Sequence, residues 1–170
     1  MSPQSSGTGE SFRRRLYNQS KFGVDLGLDR MREALALEGH PESSAPAVLV
    51  AGTNGKGGTA AFLAGILQAH GLCVGLYTSP HILDVRERFR VDGVPLAEEP
   101  VRAVGERVLD GYTPPEGERP RLTFFELTTL MAALLFRDAR VDVAIYEVGL
   151  GGRLDAVNAI EPALSVITRD

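Results

Sequence analysis

Apolar residues recur along this chain in two alternating rhythms. Short continuous runs (AVLVAG from Ala47, CVGLYTS from Cys73, VDVAIYEVG from Val141 and ALSVITR from Ala163) have the length and branched content of buried strands. Between them lie stretches with helical spacing. Leu28, Met31 and Leu35 share one face of a helix over Leu26 to Gly39, where the glycine is a stop signal. Gly57 to His70 reads as a helix that turns Phe62, Ile66 and Leu67 inward and ends before Gly71. EEPVRAVGERVLDGY, from Glu98, is amphipathic, whereas TFFELTTLMAALLFRDA, from Thr123, is strongly apolar. HILDVRERFRVDGVPL is a polar excursion with a turn at Asp92-Gly93, and TPPEGERP is a loop marked by its prolines.

Strands alternating with helices predict an α/β fold, a mostly parallel sheet flanked by helices on both faces. In such sheets the functional loops leave the carboxyl ends of the strands. The first eleven residues are polar and rich in small side chains, so residues 1–11 read as a flexible tail and 12–170 as the domain. The plan stops just after a buried strand, which makes the domain read as incomplete at its C-terminus.

Composition narrows the partners. The chain has 170 residues, 44% hydrophobic and 24% charged, which is ordinary for a globular domain. Its net charge of -4 provides no basic field for nucleic acid or acidic lipid. No apolar run approaches the roughly 18 residues that span a bilayer, and the polar N-terminus lacks the core of a signal peptide. With the single Cys73 no internal disulfide can form. The expectation is a cytoplasmic protein without nucleic-acid or membrane partners.

The chemistry concentrates in VAGTNGKGGTAAF, Val50 to Phe62. A strand runs into a glycine turn, a lysine and a helix, which is how chains hold polyphosphates. The common pattern G-x-x-x-x-G-K-[ST] fails, because Val50 stands at its first glycine and Gly57 at its hydroxyl. The physical requirement is looser: converging backbone N–H groups, a helix N-terminus and a cation. Gly52, Thr53, Asn54, Gly55, Lys56, Gly57, Gly58 and Thr59 can supply all three. The alternative is a turn rich in glycine for tight packing alone. Glu147 ends the strand before Val148-Gly149, where a nucleotide-bound Mg²⁺ is held in such sheets; the alternative is a solvated strand-end carboxylate.

Taken together, TNGKG, TSPH, RER and EVGLGGRLDA, in this order, resemble the folylpolyglutamate synthase/dihydrofolate synthase family of the Mur ligase superfamily. KFGVDLGLDRM, Lys21 to Met31, and TFFELTTLMAALLF resemble that family too. The resemblance implies the N-terminal part of a P-loop NTPase-like Mur ligase central domain. It implies ATP and Mg²⁺ as cofactors and ligation of L-glutamate to a folate or dihydropteroate through an acyl phosphate. By the same resemblance Thr53 to Gly57 form the phosphate cradle, Lys56 lies near the outer phosphates and Glu147 binds magnesium. Thr78, Ser79, Pro80 and His81 open a mobile loop near the substrates, with His81 catalytic and Ser79 a ligand for a second metal. Glu126 and Arg153 match polar positions lining the site. Arg86, Glu87 and Arg88 fix the loop through ion pairs, and Phe124 and Phe125 are candidates for a pterin pocket or for core.

Two departures stand out. The family reads GTNGKGS, and its serine, a magnesium ligand, is replaced by Gly58; Thr59 is about 100° further round the helix. The family also continues into a GLDH-like segment, a lysine that is carbamylated in many members, the adenine contacts and a glutamate-binding C-terminal domain, all absent from these residues. The expectation is that the 170-residue chain does not ligate glutamate by itself. A degenerate nucleotide-binding module and a Mur-type cell-wall ligase fragment are the competing readings.

Overall fold

The computed structural model describes residues 6–22, 27–113 and 121–169. Its centre is a six-stranded sheet in the order β4-β3-β2-β5-β1-β6. Strands β1 (Ala47–Ala51), β2 (Val74–Tyr77), β5 (Val143–Glu147) and β6 (Leu164–Ile167) are mutually parallel. The expected α/β class is therefore the observed one. The HILDVRERFRVDGVPL excursion carries more structure than its polarity suggests. It forms strands β3 (Phe89–Val91) and β4 (Val94–Pro95), an antiparallel hairpin paired to β2. Asp92 and Gly93 take positive φ values of 49° and 78°, the geometry a two-residue hairpin turn requires.

Strands β1, β2 and β5 read as continuous apolar runs because both faces of the sheet are covered there; β6, expected to be buried, is instead an edge strand with Leu164 and Ile167 exposed. Ala47, Leu49, Tyr77, Ala144 and Tyr146 point to the larger core, built with α1 (Ser6–Asn18), α2 (Asp29–Leu37), α4 (Glu98–Tyr112) and α5 (Phe124–Ala139). Val48, Val50, Val74, Leu76 and Ile145 point the other way, to α3 (Lys56–Ala69). Helix α5 is buried without a break from Glu126 to Phe136, since it lies between the sheet and α4 and so has no solvated face.

Two expectations change. Phe62 and Ile66 face outward, 78% and 56% exposed, while Ala60, Leu63, Ala64 and Leu67 meet the sheet. Small alanines on the inner face let the α3 backbone approach the strands closely, and that sets the helix rotation. Helix α1 begins at Ser6, within the stretch that composition reads as a tail. Phe12 and Leu16, one turn apart, are both buried in the larger core and anchor that helix. Leu26 and residues 114–120, most of the TPPEGERP loop, lie outside the described residues. Among the described residues no helix is long and apolar enough to cross a membrane.

The core tolerates little added volume where β2 crosses α5. A Cβ at Gly75 would lie 2.7 Å from the Phe136 ring. Gly75→Ala is expected to cost about 1–3 kcal/mol by overpacking, with Phe136→Leu partly restoring the loss in the double variant. Urea denaturation measures both; an unchanged midpoint for Gly75→Ala would refute this packing.

Candidate active site

Strand β1 delivers the chain into the loop Gly52–Gly55, and α3 starts at Lys56. Gly52 has a φ of 134°, and a Cβ there would overlap the Thr168 hydroxyl, so only glycine fits. Lys56 folds back over its own loop, donating from Nζ to the carbonyls of Gly52 at 2.8 Å and Thr53 at 3.3 Å. An ammonium hydrogen-bonded to two neutral carbonyls can exchange them for a phosphate oxygen with a small swing of a flexible stem. Thr53, Asn54 and Gly55 are exposed, and the N-terminus of α3 lies directly behind them.

Parallel pairing places Val50 opposite Glu147. The turn after β1 and the carboxylate that ends β5 therefore leave the same edge of the sheet side by side. Glu147 is 6% exposed. Its Oε2 accepts the Ser79 backbone N–H at 3.0 Å. A Cβ on Gly57 would stand 3.4 Å from Oε1, so the first turn of α3 approaches the carboxylate closely. Among the described residues no group of three or more His, Cys, Asp or Glu side chains comes together to hold a metal. One carboxylate beside a phosphate loop nevertheless fits Mg²⁺, which takes one or two carboxylates and fills its remaining positions with phosphate oxygens and water. Gly58, at the third position of α3, has open space where a side chain would be.

Loop 78–88, which follows β2, is shaped by two carboxylates. Asp84 accepts the Arg86 N–H, and Glu87 accepts the N–H groups of Ile82, Leu83 and Asp84 at 2.8–2.9 Å, a capping box written in the sequence as DVRE. The three backbone bonds hold the Glu87 carboxyl below the usual carboxylate range. Arg86 pairs with Asp84 as expected of the loop, but Glu87 acts on the backbone rather than on a cation. Arg88 is buried; it donates from Nε to His81 Nδ1 at 2.7 Å and lies over the Phe124 ring at 5.1 Å. His81 Nδ1 must accept that bond, so the ring is neutral with its proton on Nε2, which meets the Tyr17 hydroxyl at 2.8 Å.

These contacts sort the residues singled out from sequence. Gly52 to Gly57, Glu147 and Ser79 come together at one edge of the sheet. Ser79 reaches Glu147 through its backbone N–H. Thr78 donates its N–H to the Arg88 carbonyl at 3.2 Å, and the Ser79-Pro80 peptide is cis. His81 is bound to Tyr17 and Arg88 rather than to Lys56 or Glu147. Glu126 is committed locally: it takes the Thr123 N–H at 2.8 Å as part of the α5 capping box and pairs with Arg30 at 3.1 Å. Arg153 is exposed on the glycine-rich loop after β5. Phe124 stacks on Tyr17, while Phe125 packs against Tyr77.

Three residues escaped the sequence reading. Asp155, 4% exposed, takes the N–H groups of Gly149, Leu150 and Val157 and so moulds that loop. Burial pushes its carboxyl up, against the pull of those three bonds and of Lys56. Thr168 and Tyr17 carried no local signal; each matters only through a contact made far along the chain.

No protein-family model matches the chain. It is 43% identical over 157 residues to the dihydrofolate synthase/folylpolyglutamate synthase of Bacillus subtilis, covering 90% of this chain and 36% of that protein. Among solved structures it superposes on Escherichia coli FolC in complex with DHPP and ADP, with a TM-score of 0.83, 40% identity and coverage of 98% of this chain and 39% of the other. This chain is homologous to the N-terminal part of the folylpolyglutamate/dihydrofolate synthases. A bifunctional synthase of that family from Yersinia pestis, complexed with AMPPNP and a Mn ion, is 37% identical with a TM-score of 0.81. This chain covers 98% of its own length and 40% of that synthase. The chain thus spans little more than a third of the length of these relatives.

The His81 arrangement predicts a pH response. Burial, reinforced by the Arg88 charge, lowers the His81 pKa below its ordinary 6.5, against the pull of Glu87 and Asp84. The unfolded chain then takes up a proton near 6.5 that the folded chain refuses, so this contribution to stability is present above that pH and fades as pH falls through the window below it. NMR titration of the His81 ring is expected to give a midpoint under 6.5, and His81→Gln to flatten the pH dependence of unfolding between pH 7.5 and 5.5. A midpoint at or above 6.5 would contradict the Arg88–His81 bond.

Proposed function

We propose that this chain forms the phosphate-binding part of an ATP-dependent ligase that adds L-glutamate to a folate or dihydropteroate. The observation that carries the reading is the Val50–Glu147 register, which sets a buried carboxylate against the first turn of the helix behind the Gly52–Lys56 loop. The 43% identity to a dihydrofolate synthase/folylpolyglutamate synthase supports folate chemistry over that of a cell-wall ligase. In this reading 12–170 is the N-terminal portion of the ATP-binding domain. A cytoplasmic location accords with the lone free thiol of Cys73.

A carboxylate is a poor acyl donor until one of its oxygens becomes a leaving group. In the proposed reaction a substrate carboxylate attacks the γ-phosphorus of ATP, giving an acyl phosphate and ADP. The amine of glutamate then attacks the acyl carbon, forming the amide and releasing phosphate and a proton. Loop amides and the α3 N-terminus bind the phosphates, and Lys56 leaves its two carbonyls to offset charge on the transferring group. Glu147 would hold Mg²⁺, which when bound neutralises the β- and γ-phosphates and orients them. Ser79, through its bond to Glu147, ties the substrate-side loop to that carboxylate.

Calorimetric titration of this chain with Mg·ATP is expected to show binding that Lys56→Met weakens at least tenfold, about 1.4 kcal/mol. Gly58→Ser, which the open space accommodates, is expected to strengthen the magnesium-dependent part of the affinity. Phosphate release from ATP by the chain alone is expected not to respond to glutamate and folate. Absence of any Mg·ATP binding would reduce the loop to a packing turn; binding insensitive to magnesium would favour a degenerate nucleotide module.

A further inference from the structure

The end of β6 makes a contact that the nucleotide reading does not use. Thr168 donates its backbone N–H to the Ala51 carbonyl at 2.8 Å, continuing the parallel ladder one residue past the strand. Its side-chain Oγ1 lies 3.2 Å from the same carbonyl and 2.6 Å from the carbonyl of Asn54. A threonine hydroxyl has one proton. Since the Ala51 oxygen already accepts a backbone N–H, the shorter distance assigns that proton to Asn54. The hydroxyl also rests on the Cα of Gly52, where no Cβ could fit. Both ends of the loop thus close around a single oxygen atom.

We infer that Thr168 is a positioning residue for the phosphate loop, setting the direction of its amides for a nucleoside triphosphate. The peptide unit is planar and trans, so its C=O and N–H point in opposite directions. Fixing the Asn54 carbonyl on Thr168 aims the Gly55 N–H away from β6. Lys56 does the same for the two preceding units by holding the carbonyls of Gly52 and Thr53, which turns the Thr53 and Asn54 N–H groups away from the lysine. When Lys56 moves to a phosphate these two bonds are given up. The Thr168 bond does not depend on the lysine and remains. It holds the Asn54–Gly55 end of the loop in its binding shape during the exchange.

The inference rests on the nucleotide reading, and two measurements separate its failure from that of the reading. The first is backbone relaxation NMR of the chain without ligand. Thr168→Val keeps the shape and the β-branch but removes the donor; it is expected to lower the order parameters of the Thr53–Gly55 amides while those of β1 and β5 are unchanged. Thr168→Ser, which keeps the hydroxyl, is expected to restore them. The second is calorimetry with Mg·ATP, in which Thr168→Val weakens binding about tenfold and Thr168→Ser recovers most of it. Unchanged loop order parameters in Thr168→Val overturn the proposal whether or not nucleotide binds. A Thr168→Ser variant as impaired as Thr168→Val overturns it too, because the methyl group would then be what matters. Nucleotide binding to wild type and Thr168→Val with equal affinity overturns the proposal while leaving the nucleotide reading in place.

Discussion

The arrangement depends above all on the parallel pairing of β1 with β5. These are interior strands of the sheet, and their register puts Val50 beside Glu147. A shift of one residue would reverse which side chains meet the larger core and which meet α3. Leu49 and Tyr146 on one face, with Val50 and Ile145 on the other, make that shift expensive. The same apolar alternation that stabilises the sheet therefore fixes where the chemical groups emerge. Loop and carboxylate are neighbours because the strands beneath them can pair in only one way.

Around that fixed edge, polar groups work on the backbone more than on one another. Glu87 takes three N–H groups, Asp155 takes three, and Glu147 takes one. Loops at the carboxyl ends of strands leave many amides without ladder partners, and a buried unpaired amide costs about 1–3 kcal/mol. Carboxylates placed at short sequence distance satisfy several at once and give each loop a defined shape. The glutamate in RER is thus an architectural residue, although its charge and position invite a catalytic interpretation. His81 also ties elements together. Its ring links α1, through Tyr17, to the loop and to Arg88.

The sheet and most of its helices were legible because buried strands and amphipathic helices leave periodic traces. What periodicity missed had particular physical causes. Helix α3 is apolar on more than one face, so its pattern could not say whether Phe62 or Leu63 turned inward; the closeness of Ala60 and Ala64 to the strands decided it. The β3–β4 hairpin was hidden because an edge hairpin alternates over too few residues. That the glycine loop after β1 and Glu147 leave the sheet together was legible from residue type at strand ends. Thr168 was not, since nothing local distinguishes a threonine that ends a strand from one that meets a loop more than a hundred residues earlier.

The two glycines after Lys56 can be separated on the same grounds. Gly57 faces Glu147, and a side chain there would press on the carboxylate. Gly58 faces nothing within 4 Å, and its φ is not in the left-handed range. Glycine inside a helix costs roughly 0.5–1 kcal/mol relative to alanine, so at Gly58 that cost is borne without a packing contact or a backbone conformation that demands it. The closeness of Gly57 to Glu147 is a property of the fold. The bareness of Gly58 belongs to its outward position, and it leaves open space in the first turn of α3 beside the glycine loop.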